Sequence, residues 1–231
     1  MAYQNFNQPL ESYQSANIKE SFHFINENII KKKNPSSLLD IGCASGDFLS
    51  ILDTSIKAAG VDKIESLIDL AKSKITNPLF NVDILKEKKK FQKLLFQFGE
   101  AVTILGTLHT FLDFKPLLDQ IINSSNTRLI IIHSPFNTNL IDTQIFHRDH
   151  SKGEKDFISA YNIFSIETIS DFLKTSDINN FKFIPFEMTN TLPFDRKNLM
   201  NNYHFFDQNG TKYLTNGTGV LFEEFILVIN K

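Results

Sequence analysis

The chain has 231 residues, 42% hydrophobic and 22% charged, with a formal net charge of -2, which suits one domain long enough to bury a core. That balance gives no field to attract nucleic acid or an anionic membrane, and no apolar run reaches the ~18 residues that span a bilayer. One cysteine, Cys43, excludes an internal disulfide, and the N-terminus lacks the basic-then-apolar order of a secretory leader, so a cytoplasmic protein is expected.

Residues 16–33 pattern as a leading helix, which Pro35 helps to end. "SLLDIGC" (37–43) is a short buried strand, and "GDFLSILDTSI" (46–56) is expected to be the helix after it. "AAGVD" (58–62) is a second strand. It feeds a helix in which Ile64, Leu67, Ile68, Ala71 and Ile75 fall on one stripe. "LFNVDIL" (79–85) is a third strand and "KKKFQKLLFQF" (88–98) a helix, with the lysines of Lys86–Lys90 on a solvated face. "AVTILGT" (101–107) is apolar nearly throughout, as a strand covered on both faces should be. The next helix, "FKPLLDQIINSS" (114–125), has Asp113 as N-cap and Pro116 in its first turn. "TRLIIIHS" (127–134) is the fifth strand.

Beyond it, residues 135–162 carry no strong period and read as a long functional loop. "SIETISDFLKT" (165–175) is a helix and "FKFIPFEM" (181–188) strand six. The turn signals "QNG" and "TNG" suggest a small β-hairpin, and "VLFEEFILVINK" (220–231) closes the chain as a last strand. With 23 phenylalanines and no tryptophan, phenylalanine must supply much of the core volume. Repeated strand-to-helix steps spell an α/β fold with a doubly wound, mostly parallel sheet of seven strands, since each helix makes a right-handed crossover.

In such a sheet ligands sit beyond the carboxyl ends of the strands. The first strand-to-helix turn reads Asp40-x-Gly42-x-Ala44-x-Gly46, and its small residues would let a ligand approach the backbone. A dinucleotide fingerprint started at Gly42 would need glycines where Ala44 and Asp47 stand, and no Gly-Lys-Ser/Thr ending marks a phosphate loop. Asp47 would repel a pyrophosphate at the helix terminus but is harmless beside a sulfonium and an amino group.

From Ser36 to Ser134 the sequence resembles the class I S-adenosylmethionine (SAM)-dependent methyltransferases. "LLDIGCASGDFL" matches the first motif of that family, D/E-x-G-x-G-x-G, with Ala44 in place of the middle glycine. The resemblance implies a Rossmann-like fold, SAM as cofactor and S-adenosylhomocysteine as product. It implies that Asp62, ending strand two, binds both ribose hydroxyls, as a carboxylate can. Asp83 would face the adenine amino group and Ile84 would pack on the ring. Asp40, Gly42, Ala44 and Gly46 of the turn, with Lys63 and Gly106, complete the implied cofactor set. Cys43 is read as a small packing residue whose N–H faces the cofactor. Taken singly, Asp62 also suits the N-cap of the following helix, and Asp83 a loop acid.

An alcohol acceptor needs a base to take its proton, and histidine titrates nearest neutrality. His109 beyond strand four, in a Leu-His that resembles small-molecule members of the family, leads the candidate catalytic residues. His133 at the end of strand five and His150 in "IFHRDHSKG" follow. Arg148 suits a phosphate or carboxylate on the acceptor. No metal site is expected, because His147, Asp149 and His150 lack a fourth ligand.

The expected activity is methyl transfer to oxygen of a small polar acceptor: a sugar, a nucleotide-linked sugar or a phosphate-bearing metabolite. No nucleic-acid or membrane partner is expected. "YNIFSIETI" and "NGTGVLFEEFILVINK" resemble the texture of methyltransferases from bacterial surface-polysaccharide clusters. An N-methyltransferase on a small amine and a non-catalytic scaffold of the same fold are the rivals. The lack of an Asn/Asp-Pro-Pro-Tyr/Phe motif speaks against the first, and the intact Gly and Asp positions against the second. Residues 1–231 are read as a single domain, with 1–35 a helical cap and 135–162 and 191–215 insertions on the acceptor side.

Overall fold

Strands covered on both faces need apolar side chains at every position, and β1 (Ser37–Ile41) and β4 (Ala101–Leu105) are buried throughout. The computed structural model describes residues 18–147, 159–189, 202–217 and 219–231. Besides β1 and β4, the central sheet contains β2 (Lys57–Asp62), β3 (Leu79–Asn81), β5 (Leu129–Asn137), β8 (Phe181–Phe186) and β11 (Leu221–Asn230). Their order is β3-β2-β1-β4-β5-β11-β8, and β11 alone in this series runs antiparallel. The expected seven-stranded, doubly wound sheet is therefore present.

Helices cover both faces: α1 (Glu20–Ile25), α2 (Glu65–Lys74), α3 (Lys88–Phe98), α4 (Lys115–Ile122) and α5 (Ile166–Thr175). The helix begun by α1 continues through a π-helical stretch, Asn26–Ile30, and a last α-turn, Lys31–Lys33. It stops at Asn34, left-handed at φ 45, just before Pro35. The buried Asn26 donates from Nδ2 to the Ile51 carbonyl at 3.0 Å and so fastens this helix to the turn after β1. Phenylalanine fills the core as expected. Phe91 and Phe98 of α3, with Phe111 and Phe114, pack on one face of the sheet, and Phe22 and Phe48 on the other.

Two expected elements differ. Residues 46–56 form only a short 3-10 turn, Leu49–Ile51, because Leu52 is already extended at ψ 151. The Asp53 carboxylate accepts the Ser55 N–H at 2.8 Å, a local bond that competes with helix. The stretch expected to be unpatterned holds β6 (Thr143–His147) and β7 (Ser159–Ser165), an antiparallel pair. The end of β7 also runs parallel to the end of β5. Asn162 hides this strand in the sequence, since a buried polar residue breaks the alternation. Its Nδ2 donates to the carbonyls of His109 (3.0 Å) and Phe111 (2.8 Å).

The hairpin expected from the turn signals is formed by β9 (Tyr203–Phe206) and β10 (Lys212–Thr215), and β10 pairs with β11. Asp207 accepts the N–H groups of Asn209 and Thr211 across the turn, each at 2.8 Å. Among the described residues no helix is long and apolar enough to cross a membrane.

Because Asn162 joins β7 to two carbonyls of the loop after β4, Asn162→Ala is expected to lower stability by about 1–3 kcal/mol. Urea denaturation of the purified chain measures this.

Candidate active site

The carboxyl ends of β1, β2 and β4 bring three turns together. Gly42 (φ 72), Ala44 (φ 46) and Gly46 (φ 77) all adopt left-handed backbone in the first. A Cβ on Gly42 would lie 2.3 Å from Thr107 Oγ1, so the glycine is required by the close approach of the turn after β4. Ala44 accepts the strain of its conformation in a turn where its N–H donates to Asp62 Oδ2 at 3.1 Å. The other oxygen of Asp62 accepts the Ile64 N–H at 2.9 Å, ahead of α2. Asp62 thus ties the first turn to the second without capping α2, whose N-cap residue is Ile64 and which has no side-chain cap. Burial raises its carboxyl, against the pull of the Ile64 and Ala44 N–H groups.

One pocket runs beside this junction. Gly42, Asp62, Lys63, Asp83 and Ile84 of the expected cofactor set all line it. So do Thr107 and Phe111, which sequence reasoning did not single out. Asp83 Oδ1 accepts the Leu85 N–H at 3.2 Å, and its Oδ2 lies 3.5 Å from Lys86 Nζ. Burial holds the Lys63 ammonium down to about 8, against Asp83 and Asp62. The lining suits a purine nucleoside: Val61, Val82, Ile84 and Phe111 offer apolar faces to a ring. Asp62 and Asp83 offer carboxylate acceptors to a ribose diol and an amino group. Each Asp62 oxygen keeps a lone pair beyond the N–H it accepts, whereas Asp83 Oδ1 already accepts both the Leu85 and the Lys86 N–H and leaves Oδ2 for a ligand.

Cys43 packs as expected, but its N–H donates to the Val61 carbonyl at 3.2 Å, inside the turn, and so does not face the pocket. The side chain is buried against Gly60 and Leu49, and burial pushes the thiol well up, which leaves it no nucleophile. Asp40 lies beneath the turn, where its Oδ1 accepts from Thr103 Oγ1 at 2.7 Å. Burial raises its carboxyl to about 7, with Asp62 adding and Thr103 and Lys19 opposing.

Lys19, just ahead of α1, was also missed by sequence reasoning. Its Nζ sits over the Phe22 ring at 5.3 Å and would be 3.7 Å from a Cβ on Gly106. Glu224, Asp47 and Asp40 surround it electrostatically. Gly106 itself is left-handed (φ 70), and its N–H donates to the His133 carbonyl at 2.8 Å.

Beyond Gly106 the structure brings two of the three candidate histidines together. His109 stands on a 3-10 turn, Leu108–Thr110, with its ring 4.6 Å from that of Tyr161. Its Nδ1 is buried without a hydrogen-bond partner among the described residues. Burial, then Lys19 and His133, push it down to about 4 against Glu224, so it is neutral near pH 7. His133 on β5 faces Glu224 on β11, Nε2 to Oε2, at 3.5 Å. Burial alone would raise the Glu224 carboxyl, but His133, Lys19 and His109 hold it below its ordinary value. The Tyr161 phenol is raised by burial and by Glu224. Glu224 was legible only as an acid interrupting an apolar strand. His150, Arg148 and Asp149 lie outside the described residues. Among those described, no group of three or more His, Cys, Asp or Glu is placed to hold a metal ion.

Comparison with known proteins agrees with this geometry. Residues 13–181 match the model of a family described as a methyltransferase domain. Similar solved structures include a SAM-dependent methyltransferase from Archaeoglobus fulgidus, at 17% identity and TM-score 0.56, covering 96% of this chain and 97% of that one. The N-terminal domain of EvdMO1 with S-adenosylhomocysteine bound gives TM-score 0.59 at 9% identity, over 92% and 82% of the two chains. The sugar N-methyltransferase KedS8 from Streptoalloteichus sp ATCC 53650 gives 0.51 at 13%, over 100% and 96%. At these identities the likeness is one of fold. A search of curated proteins finds no match.

The Asp40 carboxyl titrates near 7 in the fold against an ordinary value of 3.8, so the folded chain holds its proton longer than the unfolded one. Ionisation of Asp40 therefore works against the fold, and stability falls as pH rises from about 4 through 7. Asp40→Asn removes that term. Its stability relative to the parent is expected to rise between pH 5 and pH 8 in urea titrations without ligand.

Proposed function

Since this chain belongs to the class I SAM-dependent methyltransferases, we propose that it transfers the methyl group to oxygen of a small polar acceptor. A sugar, a nucleotide-linked sugar or a phosphate-bearing metabolite fits best. The observation that supports oxygen is the convergence of His109, His133 and Glu224 beyond Gly106, where a hydroxyl proton would have to go.

When bound, SAM supplies a methyl carbon on a sulfonium, which needs a nucleophile and no further activation. The chain's own residues bind, orient and exclude water. Asp62 would take the ribose hydroxyls, Asp83 the adenine amino group, and Ile84 and Phe111 the ring. Gly42, Ala44, Gly46 and Gly106 leave backbone room for the rest of the ligand. Lys19 would meet its carboxylate, and Asp47 and Asp40 give the neighbouring charge that suits its ammonium and sulfonium. His109, neutral near pH 7, offers a hydrogen-bonding nitrogen to the acceptor. The segments 135–162 and 191–215 would form the acceptor side of one cytoplasmic domain, with Arg148 and His150 available to it.

Two measurements test this reading. Calorimetry is expected to show S-adenosylhomocysteine binding and no NAD⁺ binding. Asp62→Ala should weaken the former at least tenfold, since hydrogen bonds to a charged group contribute ~1.5–3 kcal/mol each. Isotope-labelled methyl transfer to a panel of sugars, nucleotide sugars and their amino analogues should place the label in an ether. Label confined to the amines would overturn oxygen transfer.

A further inference from the structure

Among the described residues, His133 and Glu224 form a pair in which two orphaned polar atoms face each other. His133 Nε2 and Glu224 Oε2 are both buried, and neither has a hydrogen-bond partner among the described residues. Sheet register brings them together. His133 lies opposite Ile226 and Glu224 opposite Pro135, so the two side chains are diagonal neighbours on one face. The second oxygen of Glu224 accepts from Asn202 Nδ2 at 3.0 Å. Phe186, opposite Glu224 on β8, sets its ring edge-on to the imidazole at 5.4 Å.

Folding does not call for this acid. A buried carboxylate loses its hydration, and a pair this long recovers little of that loss, so an apolar residue would serve the sheet as well. A reaction that creates positive charge on the imidazole would use it. Resting on the reading that the acceptor is an alcohol, we propose that His133 is the base that takes the acceptor's proton and that Glu224 is its positioning residue. Catalytic hydrogen bonds are often long before ligands bind, and 3.5 Å is a distance from which this one can tighten.

With Nε2–H directed at Glu224, the lone pair of the imidazole is on Nδ1. As the acceptor oxygen forms its bond to the methyl carbon, the methyl–sulfur bond breaks and its electron pair stays on sulfur. The O–H proton passes to Nδ1 of His133. One positive charge is lost at sulfur and one gained on the imidazolium, opposite the Glu224 carboxylate. The proton leaves to water with the product. Among the described residues His109 has no such partner: its ring lies against Tyr161, and burial, Lys19 and His133 all disfavour its charged form. The titratable groups around the pair are His109 after β4, Lys19 ahead of α1 and Tyr161 on β7.

The test is NMR of the full chain labelled with ¹⁵N-histidine and ¹³C-glutamate. The neutral His133 ring is expected to carry its proton on Nε2, and Glu224→Ala to abolish that preference while Glu224→Gln keeps it. In His133→Gln, burial of Glu224 is no longer opposed by the imidazole, and its carboxyl midpoint should rise. Amide fingerprints confirm that the variants fold. Should one fail to fold, the tautomer of the unaltered chain still decides. A proton found on Nδ1, or a Glu224 midpoint that His133→Gln leaves in place, overturns the proposal. The labelled-methyl assay judges oxygen transfer separately, so either reading can fail alone.

Discussion

The carboxylate of Asp62 joins the turn after β1 to the turn after β2, and much of the site depends on it. One oxygen holds the Ala44 N–H and the other the Ile64 N–H. Ala44 has left-handed backbone, a conformation that sterics disfavour for a residue with a Cβ. Without an acceptor in place, that N–H would be one more reason for the turn to relax. The same acid borders the pocket, so the group that shapes the cradle also lines the space beside it. Gly42 belongs to this arrangement for a second reason: any side chain there would strike Thr107 and push the turn after β4 away.

That turn carries His109, and it is held from outside the parallel sheet. Asn162 of β7 clamps the carbonyls of His109 and Phe111, and Gln144 of β6 donates to the Leu112 carbonyl at 3.2 Å. The β6–β7 pair therefore orients His109 as much as β4 does. Its apolar side chains, Tyr161 and Ile163, pack with Phe222 of β11 into a small core of their own. This satellite core lies between the turn after β4 and the start of β11.

Charge is arranged in the same economical way. Asp40, Asp62 and Glu224 are buried carboxylates at one edge of the sheet, and Lys19 reaches in from the segment ahead of α1. Burial raises Asp40 and Asp62, but Glu224 stays low because His133, Lys19 and His109 face it. A cationic ligand entering this edge would meet acids whose ionised forms it favours.

The sequence by itself determined the succession of strands and helices in the parallel part of the sheet, the glycine turn and the acids that end β2 and follow β3, because these are local signals. Strand burial shows as apolar runs, helix faces as a 3.6 period, and turns as glycine, proline and asparagine. It misjudged residues 46–56, where Asp53 makes a local bond that periodicity does not register, and 135–162, where buried Asn162 imitates a loop. It also assigned the Cys43 N–H to the ligand, although Val61, distant in sequence and adjacent in the sheet, already accepts it. Only the tertiary structure brought the cluster beyond Gly106 together. Lys19, Tyr161 and Glu224 come from segments far apart in the chain, and no periodicity connects them to His109 or His133. The antiparallel register of β11 against β5 is what turns an acid in an apolar strand into the neighbour of a histidine.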